Sequence, residues 1–146
     1  MIVAALALAG IFVALYLLLY KLGMIGALSC AVGSCEIVNT SKWATFLGLP
    51  VAGWGVGFYI GLFVLAMAST REEYAESRTI SAVLLAVATT GVVFSGWLTY
   101  LELFEIHAIC QWCVVSAIIV TVIFFVTIAD YREKSRKEES ETALAE

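Results

Sequence analysis

Four apolar runs, each long enough to cross a bilayer, constrain this chain more than any other feature. Residues 2–20, 50–69, 79–101 and 113–129 contain no charged side chain. A helix needs roughly 20 residues to span ~30 Å of hydrocarbon. Inside lipid each backbone N–H and C=O must find its partner within the structure, which favours helices. The 146 residues are 62% hydrophobic and only 14% charged, whereas a soluble domain is about a quarter charged. The expected fold is all-α: an integral membrane four-helix bundle with an outer loop or half-helix as a lid. Residues 1–130 form one four-span domain, and 131–146 a charged cytoplasmic tail.

Charge placement gives an orientation. Residues 21–49 and 102–112 share one side of the membrane and carry Lys21 and Lys42. The other side carries Arg71, Arg78, Arg132, Lys134, Arg136 and Lys137, which marks it as cytoplasmic. Both termini are then cytoplasmic and all cysteines lie at the outer surface, where disulfides persist. The net charge of −4 sits in the tail and short loops, and nothing resembles a basic nucleic-acid patch. The first run lacks a basic n-region and exceeds the h-region of a signal peptide, so it reads as a retained span.

The loop 21–49 has turn residues at Gly33, Ser34 and Asn39. Thr40 or Ser41 is expected to cap a helical turn through Trp43 to Phe46, with Gly48 and Pro50 launching the second span. Its apolar residues Trp43, Phe46 and Leu47 would rest on the membrane surface. In the second span, Gly53, Gly57 and Gly61 form overlapping GxxxG patterns, read as a close-packing face; the alternative is room for a flat ligand.

The cysteines fall into two pairs, CxxxxC at Cys30 and Cys35 and CxxC at Cys110 and Cys113, which the topology brings to one membrane face. Three readings compete: a zinc site built on all four cysteines in a non-enzymatic membrane protein, structural disulfides, and thiol–disulfide exchange. A c-type haem is excluded, because Val114 follows Cys113. Exchange has a physical argument. Where the fourth helix starts, unpaired N–H groups and the helix dipole favour a thiolate at the first cysteine. At i, i+3 the second cysteine lies one turn deeper on the same face, so one sulfur faces the water side and the other the lipid side. An enzyme coupling thiols to a membrane quinone can use that arrangement.

Over about residues 1–130 the chain resembles the vitamin K epoxide reductase family, in its bacterial quinone-linked branch. The resemblance rests on Cys30 and Cys35 in the first outer loop, on "NTSKWATFLGLP" with Ser41 and Trp43, and on "CQWC" opening the last span. Another four-span bacterial quinone-linked oxidase also has four functional cysteines, but carries its CxxC in the first outer loop. The resemblance implies that Cys110 and Cys113 are the active-site pair, with Cys113 facing the quinone and forming a transient adduct. Cys30 and Cys35 would be the shuttle pair, Cys35 exchanging with Cys110 and Cys30 meeting an external thiol. Ser41 would orient catalytic groups and Trp43 anchor the lid. The quinone, of ubiquinone, menaquinone or vitamin K type, would be the substrate, with no metal. The partner would be a separate thioredoxin-like protein of the DsbA type, because the chain ends in a charged tail where many bacterial relatives continue into a thioredoxin-like domain. The activity implied is quinone-dependent thiol oxidation supporting disulfide formation.

Three departures stand out. Gln111–Trp112 replaces the Pro–Trp of many bacterial relatives. Ala117 lies where the mammalian enzyme has a tyrosine, and the second span has no asparagine; both count against epoxide reduction. Of the remaining residues, Trp112 is the candidate to touch quinone or partner. His107, Glu102 and Glu105 read as solvated loop groups, Trp54 and Trp97 as interfacial anchors, and Phe58, Tyr59 and Phe94 as packing.

Overall fold

In the computed structural model the four apolar runs are four long helices, so the all-α membrane bundle stands. The structure describes residues 1–31, 33–71, 74 and 77–145. Helix α1 spans Ile2–Lys21 and α2, in the loop that follows it, Cys35–Thr40. The second to fourth spans are α3 (Val51–Ala68), α4 (Arg78–Leu101) and α5 (Gln111–Ala145). Each of these four helices is long and apolar enough to cross a membrane. Helix α4 continues into a π-helical turn over Glu102–Ile106. Of the charged turn after α3, Glu72, Glu73, Ala75 and Glu76 lie outside the described residues.

Small residues set the packing. Ala4, Ala7, Gly10, Ala14 and Leu17 are the buried positions of α1, a stripe that recurs every three or four residues and lets neighbouring backbones come close. Helix α1 packs against α3 and α5, and α5 against α4, whereas α3 and α4 touch only sparingly. Ala7, Ala14, Tyr59, Leu62, Leu84, Ala88 and Ile123 make the core. The glycine expectation is corrected. Gly57 and Gly61 face open space, while the tight approaches are at Gly10, against the Tyr59 ring, and Gly91, against Phe58 and Val120. An all-round apolar helix does not encode which of its faces meets protein, so spacing alone chose the wrong glycines.

The lid also differs in detail. The helical turn lies earlier, at Cys35–Thr40, with Asn39 inside it and buried. Neither Thr40 nor Ser41 caps a helix with its side chain; Thr40 Oγ1 donates to the Glu36 carbonyl and Ser41 Oγ to the Val38 carbonyl, both at 2.7 Å. Lys42–Ala44 is a single 3-10 turn. A minimal hairpin follows, β1 (Thr45–Phe46) pairing antiparallel with β2 (Leu49–Pro50). Leu47 and Gly48 both have positive φ, 52° and 81°, as a two-residue type I′ turn requires.

Helix α5 runs unbroken through the tail. At ~1.5 Å per residue it is ~50 Å long and must project beyond the hydrocarbon. Ion pairs one turn apart, Lys134–Asp130 at 3.1 Å and Lys137–Glu133 at 3.3 Å, continue it. Ser81 on α4 donates to Asp130 at 2.7 Å and accepts from Lys134 at 2.8 Å, and Arg78 reaches Glu138 at 3.2 Å.

Candidate active site

The four cysteines meet at one end of the bundle. Cys35 and Cys110 are buried in one cluster with Leu17 and Leu28, and Cys30, Cys113 and Trp112 pack against it. Cys30 and Cys35 form a disulfide, while Cys110 and Cys113 are free thiols.

Cys110 sits immediately before α5, and its carbonyl accepts the first helical bond, from Val114 N–H at 3.0 Å. The Cys113 thiol donates to the Cys110 sulfur, and the N–H groups of Cys113 and Trp112 add to it; together they hold Cys110 below the usual thiol range. Burial and the Glu102 carboxylate act in the opposite direction and are outweighed. This is the helix-start effect anticipated from the CxxC position. One detail changes: Cys110 is fully buried and faces the loop disulfide rather than open water.

The loop is docked onto the CxxC by backbone contacts. Gly33 forms an isolated antiparallel bridge with Cys110, and Ser34 N–H donates to the Ile109 carbonyl at 2.9 Å. Gly33 has φ +93°, and a Cβ there would run into the Ile109 carbonyl oxygen, so the close approach needs glycine. The two residues between the cysteines complete the seat. Ala31 N–H donates to Gln111 Oε1 at 3.0 Å, and Trp112 Nε1–H donates to the Ser29 carbonyl at 3.0 Å. The Trp112 ring meets Tyr16 edge-on at 5.3 Å.

Cys113 packs against the cluster that holds Cys35 and Cys110 but has a second neighbour. It lines a cavity of about 320 Å³ in the sparse seam between α3 and α4, within the range of small-molecule sites. Phe58, Tyr59 and Phe94 contribute aromatic wall, and Gly55 and Gly91 are also part of the lining. Trp43 is part of the same wall, its ring 5.1 Å from the Lys42 ammonium. The few polar wall groups include Asn39, Ser116 and Glu102. Ser116 is held by Tyr59, whose hydroxyl lies 2.8 Å from Ser116 Oγ.

Of the residues singled out from sequence, the four cysteines and Trp43 therefore come together around loop and cavity. Trp112 lies off the cavity wall and holds the loop instead. Ser41 is also off the wall, its hydroxyl closing the last turn of α2. Phe58, Tyr59 and Phe94, read as packing, are cavity wall. Trp54 lines the cavity and donates to the Phe46 carbonyl at 3.1 Å, whereas Trp97 stacks on Tyr100 at the C-terminal end of α4.

Glu102 is a correction. Read as a solvated loop acid, it is only 5% exposed. Its Oε2 accepts the Cys110 N–H at 3.1 Å, and it lines the same cavity as Cys113. The π turn and the left-handed His107 (φ 52°) fold the chain back so that Glu102 lies beneath the cysteines. The signal available in the sequence was an acid at the very end of an apolar span close to a CxxC, since carboxylates at membrane depth are expensive and usually functional. Glu105 and His107 are exposed as expected. Among the described residues, no group of three or more His, Cys, Asp or Glu side chains could hold a metal ion.

Sequence comparison gives these features a common context. A family model, described as the vitamin K epoxide reductase family, matches residues 1–128. That stretch takes in the first three spans, both cysteine pairs, the lid and the membrane part of α5. The chain is a membrane protein of thiol–disulfide oxidoreductase type, and it belongs to the vitamin K epoxide reductase family.

Proposed function

We propose that this protein takes electrons from a thioredoxin-like partner of the DsbA type and passes them to a membrane quinone, supporting disulfide formation outside the cell membrane. Partner thiols reduce Cys30–Cys35. Cys35 then attacks Cys110 of an oxidised Cys110–Cys113 pair, and Cys30 resolves the mixed disulfide. Cys110 is the leaving group in that resolution, a role its lowered pKa suits. The reduced Cys110–Cys113 pair then reduces the quinone. The cysteine end faces outward and both termini inward, as the distribution of lysine and arginine favours.

One observation carries this reading: the two sulfurs of a single CxxC serve different surroundings. Cys110 is buried against the loop disulfide, whereas Cys113 lines an apolar, aromatic cavity at the loosest seam of a membrane bundle. A thiol relay needs the first arrangement and a lipid-borne oxidant the second.

The test is dithiothreitol-driven reduction of ubiquinone, menaquinone and vitamin K quinone by purified protein. Turnover with at least one is expected; no turnover with any would overturn the proposal. A membrane-impermeant maleimide should label reduced Cys30 on intact cells, and labelling only after lysis would reverse the orientation.

A further inference from the structure

The relay leaves one buried group without a task. Glu102 lines the same cavity as Cys113 and accepts the Cys110 N–H at 3.1 Å. None of the ion pairs among the described residues involves it. Among the described residues the titratable groups that act on it are Cys110 and Cys113, while Glu36 on α2 and Glu105 and His107 on its own segment are exposed. A carboxylate withdrawn from water and left without a cation is costly to keep, and a single backbone N–H is a weak reason to keep it.

Resting on the quinone-reduction reading above, we infer that Glu102 is a catalytic acid–base residue that takes the proton of the Cys113 thiol and delivers it to the quinone. The Cys113 sulfur, once deprotonated, gives its electron pair to a ring carbon and a C–S bond forms. Glu102 passes the proton to the quinone oxygen. The Cys110 thiolate then attacks the Cys113 sulfur, so that the S–S bond forms as the C–S bond breaks and its electron pair stays on the ring. Water supplies the second proton. The thiol pair has lost two electrons, and the quinol leaves with two electrons and two protons. The carboxylate, fixed at 3.1 Å from the Cys110 N–H, and the reacting Cys113 line the same cavity, a placement that suits proton transfer.

The experiment follows oxidation of pre-reduced full-length protein by a short-chain ubiquinone analogue, as a function of pH, in wild type, Glu102→Gln and Glu102→Asp. The Gln variant should be slower by about 100-fold, a usual contribution for general acid–base catalysis. Its rate should climb with pH, because Cys113 must then lose its proton to solvent hydroxide. Glu102→Asp should recover part of the rate with a displaced pH profile. Thiol exchange between the two cysteine pairs, read on non-reducing gels, should change far less than quinone reduction in both variants, because Glu102 bears on Cys110 only as an opposing influence that is already outweighed. A Gln variant with wild-type rate and pH profile would overturn the inference while leaving quinone reduction intact; wild-type protein that oxidises with no quinone would instead overturn the underlying function. Should the Gln variant fail to accumulate in membranes, the Asp profile decides, and an undisplaced one refutes the role.

Discussion

The two cysteine pairs have the same chemistry and opposite mechanical settings. Cys110 and Cys113 are anchored at the start of a 35-residue helix and tied to Glu102. Cys30 and Cys35 sit on a stretch whose regular structure is the six residues of α2. That stretch rests on the CxxC through the bonds of Ala31, Ser34 and Ser29 and the Gly33 bridge. Each such hydrogen bond contributes only about 0.5–1.5 kcal/mol net. Bonds of that size can hold the loop in register and still be broken without unfolding the bundle. A relay needs this asymmetry: one pair stays beside the oxidant, and the other must also meet a protein outside.

The largest expected effect separates the pairs outright. Cys113→Ala should abolish quinone reduction with any reductant. Cys30→Ala or Cys35→Ala should abolish reduction driven by a thioredoxin-like protein but leave that driven by dithiothreitol, which reaches Cys110–Cys113 directly. Equal losses with both reductants would mean that the pairs do not act in series. Cys113→Ala should also trap a Cys35–Cys110 disulfide on a non-reducing gel, and its absence would reverse the relay order.

Next comes the seat itself. Gly33→Ala puts a methyl group onto the Ile109 carbonyl oxygen at a φ that L side chains avoid. Overpacking of this kind costs about 1–3 kcal/mol, so transfer between the pairs should fall about tenfold while dithiothreitol-driven turnover persists. Gly57→Ala, where nothing lies within 4 Å, is the control and should change neither rate. An equal loss at both glycines would point to general helix damage rather than to docking.

Those two glycines also show what the sequence could convey. Uninterrupted apolar length located the spans, and the first three helices end within one residue of the expected limits. The facing of each helix was not legible, because a helix that is apolar all round carries no moment to orient it. Glu102 was missed for a related reason. Its inward direction comes from a π turn and a left-handed His107, and neither leaves a periodic trace. The tail's helix was legible only in part: Lys134–Asp130 and Lys137–Glu133 lie one turn apart, whereas Arg78–Glu138 and Ser81–Asp130 join residues about fifty or more positions apart. Gln111 and Trp112 were legible as a departure from relatives, but their bonds to the loop appear only once loop and helix meet.

A smaller effect probes the anchored pair. The Cys113 thiol is the largest influence holding Cys110 below the usual thiol range. The sign follows: Cys110 reactivity is present above its lowered pKa and is lost as pH falls through it. Removing the donor in Cys113→Ala should move that midpoint upward, measured as the pH dependence of maleimide labelling of Cys110 in reduced protein also carrying Cys30→Ala and Cys35→Ala. A downward or unmoved midpoint would assign the thiolate to the helix N-terminus alone.

The smallest effect tests whether the dipeptide between the cysteines belongs to the anchored pair or to the docked loop. Trp112→Phe keeps an aromatic ring against Tyr16 but removes the N–H donated to the Ser29 carbonyl. The loss of one neutral hydrogen bond, about 0.5–1.5 kcal/mol, should slow pair-to-pair transfer by a factor of about 2 to 10 and leave dithiothreitol-driven quinone reduction unchanged. Trp112 lies off the cavity wall, so a change in the apparent affinity for quinone is not expected. If quinone affinity fell while transfer between the pairs held, Trp112 would serve the oxidant, and the division of labour between the two faces of this CxxC would have to be redrawn.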